Sequence, residues 1–469
     1  MDVEDPQARP VYSAFSKQAK YFIVFMVTLA SFFSPLSGQI YYPVMPTLVH
    51  NYHLTTALIN LSITTYMILQ GLAPSFMGTF ADSGGRRPAY LLAFTIYTAA
   101  NIGLALQNSY AALMVLRCLQ SAGSSGTIAF GYGVIADITT PALGPIIGGL
   151  LAEFLGWRSV FWFLAIISGS YLVLYALTMP ETARSVVGNG HVPPTQGWRM
   201  SVVQYCRRRR RRRHARRSSH DVPAVAATPA DARSKLAFPN PLRAFSIVLE
   251  PDALILISFV GLVMFANIAL MTSTPNLFTR LYGLNTLEIG LCFLACIGAI
   301  LNGKLLDRSY RRTVQRLGLP TDRKRGDDLR HFFPVVAVGL VAFVPYGWTL
   351  DRQAPLAVPL VLQFFVGFSF VAANSTLSTL LVDLFPDRPA TASAASNLVR
   401  CWLGAVGAAV IDSMLWAMGA GLCFTFWGLV LCLEVGMRWR EKRAVRLEKQ
   451  RQQQQQEDQR YVIATRNCT

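Results

Sequence analysis

Long apolar segments follow one another through this chain, and their length restricts the fold more than any other feature. A helix needs about 20 apolar residues to cross a bilayer, and lipid offers no partner to exposed backbone groups, so crossing segments are helices or closed barrels. The runs are continuous rather than alternating, which favours helices. The predicted spans are residues 21–44, 56–77, 88–107, 111–135, 142–156, 159–179, 253–272, 287–303, 332–350, 355–381, 391–415 and 420–437. The sequence therefore predicts an all-α, multi-pass membrane protein.

Charged residues are scarce and lie almost entirely in loops. They make up 14% of the chain, against about a quarter in soluble proteins, yet the net charge is +18. Of the Lys and Arg residues, the predicted external loops contain only Arg158, Arg280 and Arg352. The loops on the opposite side contain nearly all the others. Cytoplasmic loops carry such an excess, so both termini are predicted to lie inside.

An arginine run separates the two halves of the chain. Residues 207–213 are all arginine, and we expect this run to lie against anionic cytoplasmic lipid. No nucleic-acid module surrounds it, so nucleic acid is not an expected partner. The predicted division is a cytoplasmic tail (1–20), an N-terminal bundle (21–180), an Arg-rich linker (181–250), a C-terminal bundle (251–440) and a basic, Gln-rich tail (441–469).

A polar, glycine-bearing turn joins the second and third predicted spans. It contains Gly78, Asp82, Gly85, Arg86 and Arg87. A looser copy after the eighth span contains Asp307 and Arg308. The first turn resembles the G-x-x-x-D-x-x-G-R-[RK] signature of the major facilitator superfamily. The resemblance implies two six-helix bundles, twelve transmembrane helices in all, with a central site between them.

The resemblance also implies a latch between the bundles at this turn. Asp82 would face the start of the eleventh helix, and Arg86 would face an acid at the end of the fourth helix, here Asp137. The matching residues of the second half would be Asp307, Arg308 and Asp383. The plainer alternative is that Arg86 and Arg87 are ordinary charges of an inside loop.

Arg117 lies about seven residues into the fourth span, where a charge costs about 2.5 to 3.5 kcal/mol. It therefore needs a partner or a cavity. With Leu113, Gln120 and Gly123 it resembles the family's L-x-x-x-R-x-x-Q-x-x-G motif, which implies a role in proton coupling or substrate binding for Arg117 and Gln120. Corresponding residues of the eleventh span are Asn397 and Arg400. A purely structural hydrogen-bonding role is the alternative.

Further polar side chains lie at mid-membrane positions, where they tend to face the bundle interior. They are Gln39, Gln70, Asn267, Gln363, Asn374 and Asn397. Contacts between helices are the commoner explanation for any one of them. No acid lies in the middle of the first, second or seventh span, so the proton carrier is not obvious.

The fifth span is predicted to be unusually short. Its 15 residues would rise about 22 Å against a hydrocarbon core of roughly 30 Å, unless the helix includes residues 134–141 and draws Asp137 inward. A skipped exon or variant gene model is our hypothesis. Within the span, Gly144, Pro145, Gly148 and Gly149 resemble the family's antiporter motif, and the chain resembles fungal twelve-span drug:proton antiporters, particularly the quinidine-resistance group.

The resemblance implies a monomeric secondary transporter that exports drugs or amphipathic metabolites in exchange for protons, by alternating access. It would lie in the plasma membrane, or in a vacuolar or other internal membrane, and need no cofactor beyond the proton gradient. No nucleophile with a base is visible, so an enzyme is not expected. Two alternatives stay open: an exporter of one metabolite, such as an organic acid, polyamine or toxin, and a non-transporting sensor or truncated variant disabled by its short fifth helix.

Overall fold

Helices form the regular structure of this protein. The computed structural model describes residues 16–126, 134–183, 200–201, 204, 248–294, 332–384 and 389–435, and no strand occurs among them. The first half contains α1 (Lys17–Gln39), α2 (Met45–Tyr52), α3 (Thr56–Gly84), α4 (Arg86–Leu106), α5 (Tyr110–Ser125), α6 (Val134–Leu155) and α7 (Arg158–Thr178). The second half contains α8 (Pro251–Tyr282), α9 (Thr286–Cys292), α10 (Phe332–Asp351), α11 (Ala357–Leu384) and α12 (Pro389–Val435).

Apart from α2, which lies in a predicted external loop, each described helix overlaps a predicted span. Among the described residues, 7 helical stretches are long and apolar enough to cross a membrane. One of them covers 40 residues within α12 and includes a break at Gly419, whose φ is 75°. Asp351 accepts hydrogen bonds from the backbone N–H groups of Ala420 (2.9 Å) and Gly421 (2.7 Å), so its carboxylate caps the segment after the break. α12 therefore supplies both the eleventh and the twelfth predicted spans.

The fifth span is longer than the sequence indicated. α6 has 22 residues, which corresponds to a rise of about 33 Å and is enough to cross a bilayer. The helix includes residues 134–141, because these residues would otherwise leave unpaired backbone groups at the membrane. Residue 137 consequently lies in the first turn of α6, not at the end of the fourth span.

Two helix pairs make the most extensive contacts between the halves of the molecule. α3 packs against α12, and α6 packs against α9. Within the first half α4 packs against α5 and α7, and within the second half α8 packs against α11 and α12. A continuous apolar core includes side chains from both halves, among them Leu36 and Tyr42 from the first and Phe278 and Phe293 from the second.

We use the name outer end for the end of the bundle that holds α2 and α9, because the sequence predicts that it faces outward. The halves are closed against each other there. A Cβ atom at Gly290 would lie 2.7 Å from the carbonyl oxygen of Pro145, and one at Gly149 would lie 2.8 Å from that of Thr286. The hydroxyls of Thr47 and Thr286 are 3.4 Å apart. Contact between α6 and α9 is thus made by backbone atoms.

We expect Gly290→Ala to loosen the outer end, because its methyl group cannot fit against Pro145. The measurement is oxidative cross-linking of a Thr47→Cys/Thr286→Cys pair, whose yield should fall severalfold in the Gly290→Ala background. The control is Gly169→Ala, since a Cβ atom there meets Thr98 at an ordinary 3.6 Å. Equal yields in the two backgrounds would contradict backbone closure.

Candidate functional site

Arg117 of α5 is fully enclosed by the first half of the protein, with 1% of its surface exposed. Its Nη1 donates a hydrogen bond to Oε1 of Gln120 (2.6 Å) and lies 3.5 Å from the carbonyl oxygen of Ser37. The guanidinium also lies over the rings of Tyr41 and Tyr66, at 4.1 and 4.3 Å from their centroids. Residues of α1, α3 and α5 thus meet at this one charge.

The charge of Arg117 is balanced by aromatic rings. In the described part of the chain its electrostatic neighbours are tyrosines, and its Nε has no hydrogen-bond acceptor. A desolvated cation–π contact contributes on the order of 1 to 2 kcal/mol, and a hydrogen bond to a charged group about 1.5 to 3 kcal/mol. Two rings and Gln120 therefore offset the cost of about 2.5 to 3.5 kcal/mol for the buried charge.

Gln120 extends these contacts to α4. Its Nε2 donates to Oδ1 of Asn101 (2.7 Å), and Nδ2 of Asn101 donates to the carbonyl oxygen of Tyr97 (2.8 Å). The hydroxyl of Tyr97 in turn forms a hydrogen bond with that of Ser37, which returns the chain of contacts to α1. Because each polar side chain fixes the next, the position of Arg117 is determined by α1, α3, α4 and α5 together.

A second chain of polar contacts runs from this site into the other half. Ser34 of α1 accepts hydrogen bonds from the Tyr66 hydroxyl (3.1 Å, to its carbonyl) and from Gln70 Nε2 (3.5 Å, to its Oγ). The carbonyl of Gln70 accepts from Nδ2 of Asn397 (3.1 Å), and Oδ1 of Asn397 accepts from Nη2 of Arg400 (2.8 Å). We name Ser34, Tyr66, Gln70, Asn397 and Arg400, with Arg117 and Gln120, the central polar network.

The structure places the four residues that the sequence singled out for coupling or substrate binding in two pairs, one in each half. Arg117 pairs with Gln120, and Arg400 pairs with Asn397, in each case three residues away on one helix. The connections between the two pairs, Tyr66 and Ser34, were missed by the sequence analysis. Hydroxyl groups inside an apolar span were the available signal, since they need partners when buried.

Arg86 and Arg87 begin α4, directly after Gly85, whose φ of 105° suits glycine. The guanidinium of Arg87 donates to the carbonyl oxygens of Ala176 (2.8 Å) and Met179 (3.1 Å) at the end of α7. The side chain of Arg86 is exposed. Arg87 therefore stabilises the C-terminus of α7, as a cation does at the negative end of a helix.

Glu181 completes this contact and was not predicted as a site residue. It is 2% exposed, and its carboxylate accepts hydrogen bonds from the backbone N–H groups of Arg86 (3.0 Å) and Arg87 (3.2 Å). It thereby caps the positive N-terminus of α4. An acid three residues after the end of α7 was the signal in the sequence.

The other latch residues are only partly described. Residues 82, 137 and 383 belong to α3, α6 and α11, but their side chains are outside the described set. Asp307 and Arg308 lie outside the described residues altogether. The latch between the two halves therefore stays a prediction.

The antiporter motif lies where α6 passes between α1 and α9. A Cβ atom at Gly148 would lie 2.2 Å from the carbonyl oxygen of Ile40, and one at Gly144 would lie 2.7 Å from Cβ of Gln39. Gly149 and the carbonyl of Pro145 face α9 instead. Small residues on two faces thus let one helix approach both of its neighbours closely.

Residues 27–408 match the model of the Major Facilitator Superfamily. The chain belongs to this superfamily. Members similar to it include the MFS-type transporter phiD of a fungal species (strain ATCC 74256), which is 39% identical over 95% of this chain and 72% of the relative. Citrate exporter 1 of Aspergillus niger is 33% identical over 94% of this chain and 90% of that protein. This protein is accordingly a multi-pass membrane transporter.

A solved structure of the major facilitator superfamily has the same fold. The crystal structure of a D-xylose-proton symporter aligns with a TM-score of 0.62 and 14% sequence identity, covering 88% of this chain and 96% of the symporter. The alignment with phiD extends over 488 positions, more than the 469 residues of this chain, so the relative contains residues within the aligned region that this chain lacks.

We expect Glu181→Gln to destabilise the protein by about 1 to 2 kcal/mol, because an amide caps α4 without the negative charge that favours its N-terminus. Thermal unfolding of the detergent-purified protein measures this loss. Glu153→Gln is the matched control, since that side chain is exposed on α6. A Glu181→Gln melting temperature equal to that of the control would show that the carboxylate charge is dispensable.

Proposed function

We propose that this transporter exports drugs or amphipathic metabolites in exchange for protons, by alternating access. The observation that carries the proposal is the central polar network, which connects a buried arginine of one half with a polar pair of the other. When the halves rock, hydrogen bonds that cross between them must break or move. A change of charge on one side can therefore bias the conformation of the other.

Alternating access would use the two helix pairs as its moving surfaces. In this conformation the outer end is closed by α6 and α9, so export requires that these helices separate. Arginine keeps its proton at any ordinary pH, so Arg117 acts as a fixed charge that senses the arrival of a proton or of cargo. Gln120 would hold this charge in place. Asp82, Arg86, Asp137, Asp307, Arg308 and Asp383 would form the latch on the inner side.

Several properties of the exporter belong to the same proposal. It would act as a monomer in the plasma membrane or an internal membrane, with bundles at residues 21–180 and 251–440. The linker at 181–250 would bind anionic lipid through its arginine run. The glycines of the antiporter motif would let α6 slide against α1 and α9.

A second candidate is an exporter of one specific metabolite, such as an organic acid. The similarity to citrate exporter 1 over 94% of this chain favours it. A third alternative is a non-transporting variant disabled by a short fifth helix. This alternative loses its main support, because α6 has 22 residues.

The test uses inside-out vesicles containing this protein, and it follows proton release after addition of lipophilic cations, polyamines or weak acids. We expect Arg117→Ala to reduce release at least tenfold while the protein still reaches the membrane, because no other side chain in the described ranges places a charge against Tyr41 and Tyr66. Arg117→Lys should not restore it, since an ammonium group lacks the planar shape that fits between two rings. Arg352→Ala, which removes an exposed arginine, is the control.

Full activity in Arg117→Ala would refute the coupling role. Deletion of residues 200–220 separates transport from sensing. An exporter should keep its transport without this segment, whereas a sensor would lose its signal.

A further inference from the structure

We propose that Arg400, held in place by Asn397, binds an anionic group of the cargo, so that this transporter carries anions, carboxylates in particular. The inference rests on the proposed export function and adds the charge of its substrate. It depends on three observations: the direction in which Arg400 faces, its unused hydrogen-bonding capacity, and the absence of a neutralising acid in the part of the chain that the structure describes.

Arg400 lies on the inward face of α12. One turn later, a Cβ atom at Gly404 would contact Met67 and Ile268, and two turns later one at Gly407 would contact Phe265, so this face meets α3 and α8. The opposite face carries Trp402 and Val406, which are 38% and 49% exposed. Arg400 itself is only half-buried. Arg400 therefore lies on the face of α12 that meets a helix of each half.

The guanidinium of Arg400 is oriented but not saturated. Nη2 donates to Asn397 and the guanidinium also contacts the Cys401 side chain, whereas Nε is buried without a hydrogen-bond partner. Adjacent N–H groups on a guanidinium edge match the two oxygens of a carboxylate, and such bidentate pairs are among the strongest polar contacts in proteins. Asn397 is a positioning residue in this arrangement, because it holds Arg400 at one end and the backbone of Gln70 at the other.

No described acid neutralises the cations of the central polar network. The acids whose side chains are described are Glu153, Glu181, Glu250, Glu288, Asp351 and Asp412. Glu181 and Asp351 cap helices with their carboxylates, and Glu288 belongs to the capping box of α9. Asp412 lies on the same helix as Arg400 but about 18 Å farther along it. A cationic cargo would meet repulsion here, whereas an anion would supply the missing partner.

Arg400 is the better contact for cargo than Arg117. Arg117 is 1% exposed and covered by Tyr41 and Tyr66, so a substrate cannot reach it in this conformation. Cargo at Arg400 would pull on Asn397 and through it on Gln70 of α3, one helical turn from Tyr66. Binding in one half is thereby transmitted to the arginine of the other.

The experiment compares the full-length protein with Arg400→Gln and Arg400→Lys in two assays. Uptake into inside-out vesicles is measured with labelled malate, citrate and benzoate as anions, and with tetraphenylphosphonium and spermidine as cations. Thermal stabilisation of the purified protein by the same five probes reports binding without transport. Arg352→Gln serves as a control, since it removes an exposed arginine of the same charge.

We expect at least one anion to be transported and to stabilise the protein, and neither cation to do so. Arg400→Gln should lose both effects at least tenfold. Arg400→Lys should retain part of the binding, because it keeps the charge but not the planar fork. If Arg400→Gln does not reach the membrane, weakened anion binding in a folded Arg400→Lys protein supports the same site.

Transport or stabilisation by cations alone would overturn the anion site, and so would stabilisation by none of the five probes. Anion effects in Arg400→Gln equal to those of the control would also overturn it. A different result would refute the proposed export function. An anion that binds through Arg400 but never moves across the membrane would support the anion site and refute transport.

Discussion

The burial of one guanidinium between two tyrosine rings is the interaction on which the first half of this protein depends. Arg117 cannot remain in an apolar environment without compensation, which comes from Tyr41 just after α1, Tyr66 of α3 and Gln120 of α5. The rings must stay against the guanidinium, and the hydrogen bonds to it are directional. The helices that carry these groups therefore have little freedom to rotate. The buried charge therefore determines how these helices pack, in addition to any role in coupling.

The lengths and positions of the spans could be predicted because lipid imposes a single requirement, an apolar helix of sufficient length. The break at Gly419 falls between the predicted eleventh and twelfth spans for this reason. The start of α6 could not be predicted in the same way. Residues 134–141 include an acid and a proline, a local pattern that predicts a loop. In the structure these residues form one continuous helix with residues 142–155.

The candidate site was predictable residue by residue but not as an assembly. Depth in the membrane indicated that Arg117 needs a partner, yet nothing in its own helix points to Tyr41 or Tyr66. The contact between Gln70 and Asn397 joins residues of different halves, and local sequence patterns do not report such pairs. Glu181 was missed because a cap is defined by the backbone it faces, and that backbone begins 95 residues earlier.

The positive charge of Arg400, which no acid in the described part of the chain neutralises, has an electrical consequence. If Arg400 crosses the membrane field with its half, an empty site would carry its positive charge along, whereas a monoanion bound to Arg400 would cancel that charge. Moving one elementary charge through a potential difference of 100 mV corresponds to about 2.3 kcal/mol. An inside-negative potential would therefore draw the empty carrier back toward the cytoplasm and leave the loaded one unaffected, so the voltage itself would reset the cycle.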